Sequence, residues 1–461
     1  MKRLTGLFAV LALFAPAAAL AARLEVSPTR VLEGDPVSIR ITGAAPGSQV
    51  TLHSQSVIRA GSGQLIPFHG YATYRVGAAG IVDLARAAPI AGTYSGIDLR
   101  GLFWSQQRVV PEVAPLPPLL ADAALTDPDQ VLLTLQTGAT AEDRATLTLV
   151  PGTAAVAREE VHLPGLVGAF YSEAGARRRP VVVILHGSEG GIGYADWLAP
   201  MLVARGYSVF GLVYYAPHIR PVAGAPEALN RIPVESLERV RAWLANRPEA
   251  DVERFGIVGA SKGGEFALVL ASIYPWIDTA AAFVPSAWVN QGFSYGNGET
   301  GMGSSWTRGG RDLPFLPQTG LGREVANFRV PGGEVRMARV HLENLASASP
   351  AAIAAAAIPV ERSHAAFFLA GGGDDQTGAS GRSVAALAER LRRAHYRHPV
   401  DARVYPLAGH LIVDSGWRPT TTHNNGPSQD GGTPEADARA QADSFAGLVA
   451  FLARELKGPA R

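Results

Sequence analysis

Two rhythms of apolar and polar residues divide the chain. From 23 to about 149 the period is two: Val37, Ile39 and Ile41 alternate with Ser38, Arg40 and Thr42, and Val50 and Leu52 with Thr51 and His53. Val131, Leu133 and Leu135 continue the pattern, as do Ala145, Leu147 and Leu149. Turn signals such as Ala45-Pro46-Gly47 and Gly77-Ala78-Ala79-Gly80 separate the runs. Short alternating strands with frequent turns predict a β-sandwich over 23–150. Pro111, Pro115, Pro117 and Pro118 belong in a connection, since proline cannot donate to a central ladder.

Beyond 151 the period changes. Val181-Val182-Val183-Ile184-Leu185 is unbroken and mostly β-branched, as a strand covered on both faces requires. Similar runs recur at 208–213, 255–258, 280–284, 366–369 and 404–405. Helical faces fall between them: Val234, Leu237, Val240 and Leu244, then Val384, Leu387, Leu391 and Ala394. Thr433 followed by Pro434 reads as a capped helix start, with Phe445, Leu448, Leu452 and Leu456 as its buried stripe. Strands alternating with helices predict a parallel, doubly wound α/β sheet, and 151–461 is read as one α/β domain. A glycine-rich stretch at 290–346, with Gly296, Gly298, Gly301, Gly303, Gly309 and Gly310, breaks the rhythm. Following a strand near the expected active edge, it is expected to wall a substrate pocket.

Composition narrows the reading. The 461 residues are 47% apolar and 18% charged, with formal net charge +1, so no strong field draws the chain to nucleic acid. All but three of the 41 basic residues are arginine. Cysteine is absent, which excludes disulfides, thiolate metal sites and a cysteine nucleophile. At the N-terminus, Lys2 and Arg3 precede an apolar run from 4 to 15, and Ala19-Leu20-Ala21 offers a small-x-small cleavage pattern. Residues 1–22 are therefore read as a signal peptide, and the mature chain is expected in the periplasm or outside the cell, without a membrane span.

The chemistry centres on Gly259-Ala260-Ser261-Lys262-Gly263-Gly264-Glu265, between the strand Phe255-Gly256-Ile257-Val258 and an apolar helix. In that strand–turn–helix setting Gly-x-Ser-x-Gly marks a nucleophile elbow and an α/β-hydrolase domain, with Ser261 as nucleophile. Serine needs a base, and on this fold the order is serine, acid, histidine. His341, His364, His395, His398, His410 and His423 follow Ser261. His341 belongs to the glycine-rich interruption, His364 precedes a strand at the wrong edge, and His395 and His398 end an arginine-rich helix. His410 follows the strand at 403–406 and a short loop, where the base belongs; His423 is second. The acid falls in Gly371-Gly372-Gly373-Asp374-Asp375, and spacing alone leaves Asp374 and Asp375 both open. Oxyanion donors are expected from the backbone N–H of Lys262 and from Ser188 or Gly187 in His186-Gly187-Ser188-Glu189-Gly190-Gly191.

Taken with Ala271-Ser272, the elbow resembles that of the acyl-CoA thioester hydrolase / bile acid-CoA:amino acid N-acyltransferase family. Leu212-Val213-Tyr214-Tyr215, Ile358-Pro359-Val360-Glu361-Arg362, Asp374-Asp375 and the stretch from Tyr405-Pro406 to Gly409-His410 are similar too, as is Gly101-Leu102-Phe103-Trp104-Ser105 in the sandwich. The resemblance covers nearly the whole mature chain. It implies Asp375 as the acid, and Ser261 matches the thioesterase side of a family whose acyltransferases carry cysteine. The loop at 186–191 departs from the more glycine-rich family loop, which starts with Phe, and adds an acid.

These readings converge on a serine hydrolase cleaving small-molecule acyl thioesters or esters, with Ser261, His410 and Asp375 as its triad and no cofactor or metal. An exported carboxylesterase or peptidase with the same triad is the alternative within the enzyme class. A ligand-binding module with an inactive hydrolase domain is the alternative outside it.

Overall fold

The computed structural model describes residues 21–458 except 61–62, 112, 121–124, 154, 296–299 and 425. The leader expected at 1–22 lies outside the described residues up to residue 20, as do Gly296 and Gly298. The chain divides into two compact units. One comprises Met1–Thr29, Val37–Leu102 and Val109–Leu147; the other comprises Arg30–Pro36, Phe103–Arg108 and Thr148–Arg461.

In the first unit, Arg23–Ser27, Ser38–Thr42 and Val82–Asp83 form an antiparallel sheet. Gln130–Thr137, Gln49–Arg59, Leu65–Arg75 and Ala91–Gly92 form a second. The period-two pattern is the cause: Ile39, Ile41, Leu52, Leu133 and Leu135 are fully buried, while their polar neighbours Ser38 and Arg40 are not. This is the β-sandwich.

The second unit contains β1 (Val156–Leu163), β2 (Leu166–Glu173), β3 (Arg179–Leu185), β4 (Ser208–Leu212), β5 (Ala250–Ala260), β6 (Thr279–Phe283), β7 (Ala366–Gly372) and β8 (Val400–Tyr405). They lie in the order β1-β2-β4-β3-β5-β6-β7-β8. Only β2 runs antiparallel to its neighbours; from β4 to β8 every pairing is parallel. This is the α/β-hydrolase sheet, with helices on both faces. Val181, Val183 and Leu185 of β3 join one core with α2 (Ser236–Leu244), α3 (Lys262–Ile273) and α5 (Ser380–Arg393). Val182 and Ile184 join another with α1 (Gly193–Ala204) and α6 (Pro434–Lys457). The unbroken apolar run of β3 is thus explained: successive side chains serve opposite helix layers.

Helix α6 begins as the sequence predicts. The Thr433 hydroxyl accepts the Ala436 N–H at 3.2 Å, and Pro434 occupies the first helical position. Its Phe445, Leu448, Leu452 and Leu456 are buried, each side chain contributing about 1.5–3 kcal/mol of burial.

The stretch 290–346 has more structure than its glycines suggested. Trp306–Arg308 pairs with Ile232–Pro233 and with Arg311–Asp312, and α4 (Met337–Ser347) follows. These strands are two or three residues long, too short to leave a periodic trace, and the burial of Trp306 anchors them.

Candidate active site

Ser261 stands between β5 and α3 with φ 54° and ψ −117°, a backbone conformation that a side chain adopts only under strain. Two bonds hold it there: its N–H donates to Phe283 O at 2.9 Å, and its carbonyl accepts the Glu265 N–H at 3.0 Å. The turn closes only because its flanks lack side chains. A Cβ on Gly259 would fall 2.0 Å from the Gly263 carbonyl oxygen, and one on Gly263 would fall 2.3 Å from both the Leu185 and His186 oxygens.

His410 and Asp375 arrive on the loops after β8 and β7. Nδ1 of His410 donates to Asp375 Oδ2 at 2.9 Å, and both residues are buried. The N–H groups of Thr377 (2.8 Å), Gly378 (2.7 Å) and Ser380 (3.1 Å) also donate to the Asp375 carboxylate. Burial alone would raise its pKa; the charge and hydrogen bond of His410, with these donors, lower it to about 2. For His410, burial works downward, but Asp375, Asp430 and Glu189 outweigh it and raise the imidazole above its ordinary value. Asp374 faces elsewhere, accepting from Gln376 Nε2 at 2.7 Å and from Gly432 N at 3.0 Å. The structure therefore gives His410 the second aspartate of the pair. The Ser261 hydroxyl forms no hydrogen bond among the described residues; such contacts commonly tighten only when substrate is bound.

The other histidines have other places. His423 Nδ1 donates to Asp437 Oδ2 at 2.8 Å, and Asp437 Oδ1 accepts the Gly409 N–H at 2.7 Å, so His423 buttresses the loop that carries His410. His364 and His398 meet edge to face with ring centroids 6.0 Å apart, and His395 is exposed. His341, set aside in the sequence as part of an irregular insertion, lines a cavity of about 60 Å3 together with Ser261 and Lys262. Burial foremost, then Lys262, lowers its pKa to about 4, leaving it neutral at ordinary pH. Trp288, Leu316, Leu342 and Leu345 supply apolar walls, so residues of 290–346 do form one side of this cavity. No periodic signal singled out His341.

The loop after β3 is held by the aromatic pair after β4. Tyr214 Oη donates to His186 O at 2.5 Å, and Tyr215 Oη to Ser188 O at 2.5 Å. His186 stacks on Tyr214 with ring centroids 4.0 Å apart, and burial lowers its pKa to about 4. Of the expected oxyanion donors, Lys262 N–H opens α3, where the helix leaves its first amides without internal partners. The Gly187 N–H is occupied by Glu189 Oε1 at 2.9 Å. Behind the elbow, Lys262 Nζ donates at 2.9 Å to each Glu265 oxygen and to Ser305 Oγ. Glu265 is fully buried and accepts further bonds from Trp306 Nε1 (2.8 Å) and from Asn290 N (3.1 Å) and Nδ2 (2.9 Å).

A strained serine, a buried histidine–carboxylate pair and a cavity lined by the serine can support acyl transfer. Comparison with known proteins bears on the family. Residues 34–161 match the acyl-CoA thioester hydrolase/BAAT N-terminal region, and residues 232–458 match the BAAT/acyl-CoA thioester hydrolase C terminal. The chain is 29% identical to human acyl-coenzyme A thioesterase 2, mitochondrial, over 96% of this chain and 86% of that protein. It is 28% identical to human acyl-coenzyme A thioesterase 1 over 95% of this chain and 98% of that protein. A putative dienelactone hydrolase from Klebsiella pneumoniae overlaps 65% of this chain and 99% of its own, at 16% identity and a TM-score of 0.40. Matched in both its sandwich and its hydrolase domain, the chain belongs to the acyl-CoA thioester hydrolase/BAAT family.

Proposed function

We propose that this hydrolase cleaves acyl thioesters of the acyl-CoA kind through an acyl-enzyme. The observation that carries the reading is Ser261 on its strained elbow, at the wall of a cavity also lined by Gly378, where a Cβ would lie 3.4 Å from both Asp375 Oδ2 and His410 Cε1. Ser261 Oγ attacks the acyl carbon while Nε2 of His410 takes its proton, and Asp375 holds the imidazole and balances its charge. The backbone N–H of Lys262 and that of Ser188 or Gly187 receive the developing oxyanion. Collapse of the tetrahedral adduct expels the thiolate, which takes the proton back from His410. Water, deprotonated by the same imidazole, then attacks the acyl-serine and frees the acid and the serine. The relatives named above support the thioester, and the cavity's apolar walls suit an acyl chain.

The leader read at 1–22 supports placing the mature enzyme outside the cytoplasm, which fractionation of expressing cells tests directly. That placement favours a second reading, a carboxylesterase or peptidase using the same three residues. The deciding experiment measures wild type and Ser261→Ala on acyl-CoAs, simple esters and aminoacyl substrates of matched acyl length. The substitution should lower kcat by ~10⁴–10⁶-fold. Near-normal acyl-CoA hydrolysis by the variant would overturn the serine mechanism. Turnover of esters alone by the wild type would favour the second reading.

A further inference from the structure

The acid in the loop after β3 lies where the proposed chemistry has no use for a negative charge. Its Oε1 accepts the Gly187 N–H at 2.9 Å. A side chain built on Gly187 would meet Glu189 Oε2 at 2.5 Å and Ser261 Cβ at 3.2 Å, so carboxylate and nucleophile flank one point of backbone. A tetrahedral oxyanion forming at Ser261 would compete with that carboxylate for the same amide, and two negative groups a few ångströms apart repel.

We propose that Glu189 gates the oxyanion position: its carboxylate holds the Gly187 N–H in the free enzyme and must release it before the loop can receive the carbonyl oxygen of an acyl substrate. The inference rests on the serine-hydrolase reading above. The loop is built to allow the release. Glu189 is an exposed residue, Gly190 and Gly191 follow with φ of 70° and 77°, and a Cβ on Gly191 would meet nothing within 4 Å. Arg220 offers a counter-charge within electrostatic reach. The other groups that feel the carboxylate are His410, Tyr194 of α1, Tyr214 and Tyr215 after β4, and Tyr295 of the insertion. Desolvation of the carboxyl raises its pKa, with its own backbone amide, the Gly187 amide, His410 and Arg220 pulling the other way. Protonation is therefore a second way to open the gate, and the ionised form is the closed one.

The test is inhibition by phenylboronic acid, which forms a tetrahedral anion on an active serine, measured across pH for wild type, Glu189→Ala and Glu189→Gln. Glu189→Ala should bind the boronate at least ~10-fold more tightly, a fraction of what one oxyanion donor contributes. Glu189→Gln, which keeps a neutral acceptor of the same shape, should fall between. The ratio of wild type to Glu189→Ala should widen as pH rises through the titration of Glu189, a change that a purely structural role would not produce. Equal or weaker binding by folded Glu189→Ala, or a ratio that ignores pH, would overturn the gate while leaving the serine reading intact, provided Ser261 still reacts with a fluorophosphonate. A wild-type Ser261 that fails to react would bring down both.

Discussion

Glu265 grips the ammonium group of Lys262 with both carboxylate oxygens at 2.9 Å, one helical turn behind Ser261. Burial lowers the Lys262 pKa against the pull of Glu265, so the lysine depends on this partner to stay charged inside the protein. Glu265→Ala strands the lysine together with the indole N–H of Trp306 and the amide of Asn290. Breaking a buried pair from one side should cost about 3–5 kcal/mol, readable as a lower urea midpoint at unchanged slope. A loss below ~1 kcal/mol would show that water repairs the network.

The two aspartates after β7 should separate sharply in kinetics. Asp375→Asn keeps the shape but removes the charge that orients His410, and kcat should fall by roughly 10⁴-fold. Asp374→Asn alters a carboxylate that, among the described residues, accepts from Gln376 and Gly432, and should change kcat by less than about tenfold. Initial rates on one nitrophenyl ester are enough, and equal losses would contradict the pairing of Asp375 with His410.

The pH profile follows from the same pair. His410 must be neutral to accept the serine proton, and its pKa is raised, by Asp375 foremost among the groups acting upward. The acid limb of kcat/KM should therefore lie above the ordinary histidine value, with activity growing as pH rises through it. In Asp375→Asn the residual activity should show that limb displaced to lower pH, because desolvation then acts without its main opponent. A limb that stays in place would mean a different group is titrating.

His341 predicts a pH-independent effect. With its pKa lowered to about 4, it is neutral throughout the working range. Replacing it by alanine removes a polar group from the cavity wall and should shift KM and acyl-chain preference by about fivefold, the scale of one hydrogen bond, while the limbs of the pH profile stay fixed. A variant indistinguishable from wild type across a chain-length series would place the acyl group elsewhere.

Much of this was legible in the chain. Period two against unbroken apolar runs announces a sandwich ahead of a doubly wound sheet, and Gly259, Ser261 and Gly263 announce the elbow, because each signal is local. What stayed hidden depends on partners distant in sequence. Spacing near Asp374 and Asp375 does not tell which one faces a histidine 35 residues on; only the family resemblance points to Asp375. Likewise His341 reaches the cavity only because a short helix follows strands too brief to register. The tyrosines after β4 looked like a family trait, yet their hydroxyls hold the loop after β3. Glu189 is visible as an added acid; that it reaches back two residues to the Gly187 amide is not.

Asp437 clasps the Gly409 amide with one oxygen and His423 with the other, closing a loop whose ends are 28 residues apart. Such a clasp divides what natural variation can alter. Lengthening the loop at its exposed tip near Gly426, where a side chain would meet nothing within 4 Å, adds little closure entropy, about 0.6 kcal/mol for each doubling of length. A single change at Asp437 opens the loop at its neck. The tip is free to drift in length, while the clasp that holds the loop carrying His410 has no such freedom.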